Sequence, residues 1–214
     1  MKTIRYIVLG MVMVTLSFGS LSGLLAQKGT MAFMETYANS VITSLLEPED
    51  PFYRLVRVNK DDPESSLIGY CDNANLDQCT AYIQNRSFLD RLPGDLRLAW
   101  GSEAGDNGTP LYALREQKGR KTGPDGADIE QLEVVSDPPN SHYSLLISFN
   151  RSGTEKWARL TGDNVGRDIA IVINDRVWSA PRVRDRINMG KCMITGNFSE
   201  KEVIALKDQL EPSR

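Results

Sequence analysis

Ile169-Ala170-Ile171-Val172-Ile173, then Asn174-Asp175, then Arg176-Val177-Trp178, is the run of sequence that decides the fold. Five consecutive apolar residues, four of them β-branched, with polar residues on both sides, make the strongest strand signal in the chain. Asn174-Asp175 fits a two-residue hairpin turn, less readily than Asn-Gly because aspartate accepts a positive φ at a cost. Val177-Trp178 then returns antiparallel until Ala180-Pro181, where proline removes a ladder donor and confines the chain to an edge or a bend.

Working outward, residues 143–149 mix aromatic, β-branched and leucine side chains without clean alternation, which predicts a strand buried on both faces. A helix follows. Ser152 with Glu155 has capping-box spacing, and Asn150 is the competing cap. Trp157, Leu160 and Thr161 give that helix one packing face, and Gly162 and Gly166 bracket its end. On the other side, Ser199 caps a final helix, Glu202 completes a capping box, and Phe198 can staple onto Val203. Val203, Leu206 and Leu210 form its apolar stripe. Strand, helix, strand, turn, strand, strand, helix is an α+β fold of small antiparallel or mixed sheets with packed helices.

Upstream, residues 28–46 place Met31, Met34, Ala38, Val41, Ile42 and Leu45 at helical spacing. This predicts an amphipathic helical lead-in over 28–50, packed on the domain or lying near a membrane; its polar face lacks Lys and Arg, which favours packing. Residues 52–58 and 67–70 read as strands, and 75–91 as a helix with Leu76, Cys79, Ile83 and Phe88 inward. Residues 96–100 read as a further strand. Strand, strand, helix, strand is half of a ferredoxin-like pattern, which defines a base-like subdomain over 51–109. A Gly-rich linker, 101–109, leads into strands at 111–114 and 129–135, so a second subdomain is expected over 110–214.

Residues 1–27 stand apart. Lys2 and Arg5, an apolar core from Tyr6 to Phe18, and small residues towards Ala26 have the layout of an export signal. The competing reading is an uncleaved anchor, since the apolar run from Tyr6 to Ala26 is just long enough to span a bilayer. Either way the expected compartment is the periplasm, reached by export or faced from an inner-membrane anchor.

A net charge of −3 gives no overall drive towards nucleic acid. Cys71 and Cys79 lie outside metal-site spacings; they either pair in an oxidising compartment or, with Cys192, act as small apolar fillers. The single histidine, His142, has no nucleophile context, and zinc motifs and a phosphate loop are absent. The expectation is a chain without catalytic residues, metal or cofactor. One charge feature remains. Arg182, Arg184 and Arg186 alternate, so in an extended strand all three project from one face. With Lys191 they form a basic stripe suited to acidic polypeptide segments or lipid headgroups. The same pattern also describes a solvated face paired with nearby Asp and Glu.

Residues 157–161, Asn164-Val165-Gly166, residues 169–172, residues 177–181 and Ile194-Thr195-Gly196-Asn197-Phe198 resemble the head of the first periplasmic domain of SecD and fused SecDF. These are accessory subunits of the Sec protein-export machine. Ile68-Gly69-Tyr70, residues 92–96 with Trp100, and residues 111–114 resemble the base region of fused SecDF, so the likeness runs over 52–210. It implies a base followed by a head-like subdomain that grips unfolded, secretory polypeptide and performs no bond-making chemistry. Gly166, Gly196 and Pro181 then set backbone shape. Arg182, Arg184, Arg186 and Trp178 are the candidate polypeptide-binding residues. The family's multi-helix membrane part lies outside these 214 residues, so no proton-driven activity is expected of them. Partners would be unfolded polypeptide or Sec translocon components, with membrane association through the N-terminal segment; the alternative is a structural protein docking on a dedicated cell-envelope partner.

Overall fold

A computed structural model of the chain describes residues 29–102, 105–116, 119, 122–137 and 142–211. The expected leader, 1–27, lies outside the described residues. In chain order the elements are β1 (Met31–Glu35), α1 (Asn39–Thr43), α2 (Phe52–Leu55), β2 (Val56–Val58), β3 (Leu67–Cys71), α3 (Leu76–Ile83), α4 (Arg86–Leu89), β4 (Leu96–Trp100) and β5 (Thr109–Arg115). There follow β6 (Ile129–Asp137), β7 (His142–Phe149), α5 (Arg151–Asp163), β8 (Ile169–Ile173), β9 (Arg176–Ser179), β10 (Lys191–Phe198) and α6 (Glu200–Leu210). The fold class is α+β, with three small antiparallel sheets ordered β2-β3-β5-β4, β1-β8-β9 and β10-β7-β6.

β8 is the strand on which the rest is built. All five of its residues are buried, and they divide by parity. Ile169, Ile171 and Ile173 enter one core with Leu145, Ile147, Trp157, Ile194, Val203 and Leu206. Ala170 and Val172 face the other way, onto Ala99, Leu114 and Val177 against the four-stranded sheet. A strand covered on both faces requires an unbroken apolar run, and that is what its sequence supplies. Asn174 and Asp175 take φ of 50° and 62°, so the two-residue turn has the positive φ values that match strand twist.

The caps explain where the helices begin. Asn150 caps α5 by accepting from the Gly153 N–H at 2.9 Å. The alternative, Ser152 with Glu155, is not used, and Glu155 accepts from Arg151 instead. Ser199 and Glu202 form the full capping box on α6.

The described structure corrects four expectations. First, residues 31–35 form a strand, not the start of a helical lead-in. Met31 and Phe33 alternate into the core, and the segment pairs antiparallel with β8 from Met31↔Ile173 to Glu35↔Ile169. Pairing to a distant buried strand overrides a local helical stripe, and only Asn39–Thr43 is helical. Second, residues 52–55 form one helical turn before the strand starts at Val56. Phe52 is driven into the base core ahead of any alternation. Third, the helix expected over 75–91 breaks at Asn85, whose side chain caps α4 by accepting from the Ser87 N–H. Fourth, β7 is buried on one face only: Leu145, Ile147 and Phe149 point inward while Ser144, Leu146 and Ser148 are half-buried.

β5, expected at the head of the second subdomain, pairs with both β3 and β4 and so completes the four-stranded sheet. The base core gathers Ile42, Phe52, Ile68, Cys71, Cys79 and Phe88 on one side of that sheet. Its junction with β8 carries a polar clasp. Asp168, buried just before β8, accepts from Ser65 and Ser66 of the base and from Arg182 beyond β9.

Candidate functional site

Pro181 ends β9, and the connection to β10, residues 180–190, crosses the C-terminal end of α5 as an arm. Main-chain hydrogen bonds hold it down: Ile169 N–H donates to Pro181 O at 3.1 Å, Val183 N–H to Arg167 O at 2.9 Å and Gly166 N–H to Val183 O at 2.8 Å. At its far end Phe149 N–H donates to Gly190 O at 2.8 Å. The side chain of Val183 points into the core, so its neighbours Arg182 and Arg184 point out.

The alternation does not reach Arg186. The chain bends at Asp185, and Ile187 N–H then donates to the hydroxyl of Thr161 on α5 at 2.9 Å. Arg186 consequently lies against Gly162, and its Nε donates to Asn188 Oδ1 at 2.9 Å. Three arginines expected on one face therefore occupy three settings. Arg182 is committed to Asp168 (3.0 Å) and Asp62 (3.1 Å), and the hydrogen bond it donates to Asp168 holds its guanidinium more firmly protonated than usual. Arg184 has no hydrogen-bond or ion-pair partner among the described residues. Arg186 borders a separate hollow shared with Glu155, Arg159 and Asp163.

Between arm, α5 and β10 lies a groove of about 430 Å³. Its walls come from Trp157, Ile169, Val183, Cys192 and Met193, and its rim carries Arg182, Arg184, Asp185 and Lys191. The Trp157 indole N–H is buried without an acceptor. Burial pushes the Cys192 thiol up to about 12, so it contributes an apolar surface and no thiolate. Ile187 and Met193, which line this groove, are 37% and 46% exposed, and Met189, between them in the chain, is 80% exposed. None of these three was singled out by sequence reasoning, because single apolar residues in a polar loop are ordinary surface.

Trp178 does not line the groove. Its ring packs at 5.8 Å from Phe198, an intramolecular contact at the edge of the core. A larger cavity, about 650 Å³, opens between β1 and the base sheet. Its two arginines are already engaged, Arg97 with Asp175 at 2.8 Å and Arg115 with Asp95 at 2.9 Å. Among the described residues no group of three His, Cys, Asp or Glu is placed to hold a metal, and no helix is long and apolar enough to cross a membrane. The His142 side chain lies outside the described residues.

A family model described as "SecDF, P1 head subdomain" matches residues 105–212, which include β8, the arm and the groove. Protein translocase subunit SecD of Rhodothermus marinus is 30% identical over 158 residues, 72% of this chain and 25% of that protein. SecD of Acidaminococcus fermentans is 34% identical over 94 residues, 44% of this chain and 22% of that protein. The chain thus spans about a quarter of the length of these curated relatives. A solved structure described as "a membrane component SecDF that enhances protein export" aligns over 91% of this chain and 70% of that one, at 19% identity and a TM-score of 0.48.

Proposed function

The chain belongs to the family of the SecDF P1 head subdomain, and from that membership we propose that it serves protein translocation as a non-enzymatic, periplasm-facing module that holds unfolded polypeptide. The observation that carries this reading is the family match across the arm and groove, together with apolar side chains exposed beside cations there. Two features support binding without chemistry: burial raises the Cys192 thiol, and Asp185, the one carboxylate lining the groove, has no hydrogen-bond or ion-pair partner among the described residues. Binding without chemistry is the use such a surface supports, and no proton-driven step is assigned to these residues. Exposure to the periplasm, by a cleaved signal or an anchor at residues 1–27, completes the reading, with Sec translocon components as the expected neighbours.

The test is photo-crosslinking of the purified protein to an unfolded secretory polypeptide, beside a folded control of matched charge. Selective capture of the unfolded chain is expected. Equal yields from both would reject the reading.

A further inference from the structure

Deepening this polypeptide-holding reading and resting on it, we propose that the groove under the arm takes an extended segment in which a large apolar side chain is flanked by acidic residues. Ile187, Met189 and Met193 bring three exposed apolar side chains to one short stretch of arm and strand. Ile187 and Met193 line the slot itself, which distinguishes them from scattered exposed residues such as Leu89 and Val165. Methionine is unbranched and polarisable, so it repacks around differently shaped side chains, a property of surfaces that accept many sequences.

The rim sets the flanks. Arg182 is held by Asp168 and Asp62, which leaves Arg184 and Lys191 as cations with no partner among the described residues. Asp185 is the one acid among the groove's lining residues, against the unpartnered Arg184 and Lys191, in a chain whose net charge is −3. A segment with acids beside its apolar anchor complements both features.

An extended conformation follows from β10, which is an edge strand of its sheet and forms one bank of the groove. Main-chain groups on the outer side of an edge strand can pair with an added chain whatever its sequence, while the groove selects the side chain. A membrane surface fits less well, because two unpaired cations flanking a slot present no broad basic plane.

Fluorescence anisotropy with three labelled twelve-residue peptides tests this on the full chain. One carries Leu-Phe between Asp and Glu residues, one the same core between lysines, and one Ser-Ser between acids. The acidic Leu-Phe peptide is expected to bind at least about tenfold more tightly than either other. Ile187→Ser with Met193→Ser should weaken it by about tenfold with near-ultraviolet circular dichroism unchanged, and Arg184→Glu with Lys191→Glu should invert the charge preference. If the parent captures unfolded polypeptide but both double variants bind the peptides as the parent does, the groove assignment fails and the broader function stands. If the parent captures no polypeptide, both fall. Binding to anionic phospholipid vesicles that the peptides do not displace, with no peptide preference, would also overturn the assignment.

Discussion

Asp168 and Ser66 lie 102 residues apart, yet the Asp168 carboxylate accepts from both the Ser66 N–H at 2.7 Å and the Ser66 hydroxyl at 3.0 Å. Both residues are buried, and the same carboxylate takes the Arg182 Nε–H. Asp168→Ala leaves a buried main-chain donor without an acceptor and Arg182 without its nearer counter-ion. The expected loss of stability is about 2–4 kcal/mol, read from urea titrations. A loss under about 0.5 kcal/mol, the scale of an ordinary surface change, would show that the clasp contributes nothing.

Asp50 sets an acid limit. Its desolvation raises its pKa, but hydrogen bonds from Tyr82, the Phe52 N–H and Arg91 outweigh that and hold the carboxyl below its ordinary value. A carboxylate depressed on folding contributes stability that is fully present above its unfolded pKa and is lost as pH falls through the folded one. Unfolding free energy is therefore expected to be flat from neutral pH down to about 5 and to fall below about 4. Asp50→Asn should flatten part of that fall, and an unchanged slope between parent and variant would refute the assignment.

Gly190 returns the arm into β10 at φ 62°, and a Cβ there would stand 2.1 Å from Thr154 Oγ1. Alanine meets both a strained backbone and a clash, so Gly190→Ala should cost about 2–4 kcal/mol. Combining it with Thr154→Ala relieves the hydroxyl contact and not the backbone strain. A double-mutant cycle by thermal unfolding should recover part of the loss, and strict additivity would show that the contact does not matter.

Cys71 and Cys79 are free and fully buried, and desolvation raises both thiols above their ordinary value. Thiolates are the reactive form, so iodoacetamide under reducing conditions at pH 8 should modify neither until denaturant is added. Intact-mass spectrometry that found rapid native labelling of either would contradict this packing.

What the sequence made legible was whatever short-range chemistry enforces. The β-branched run of β8 and the Ser199–Glu202 box each need only a few neighbours, and both stand where expected. Residues 31–35 were misread because Met31, Met34 and Ala38 satisfy a helical period while Met31 and Phe33 satisfy a strand period. The deciding partner, Ile173, is remote in the chain. At the candidate site, alternation holds for Arg182 and Arg184 around the buried Val183, but the chain bends at Asp185, before Arg186. Met193 carried no signal of its own; it stands out only because it lines the groove.

The way the arm is fastened fixes how it would respond to mechanical load. Tension on anything gripped there runs through Pro181 and Arg182 into the Ile169 amide and the Asp168 carboxylate, and from Asp168 to Ser66. The tether thus ends at Ser66, next to β3 of the four-stranded base, so a load on the arm is shared between both halves of the protein.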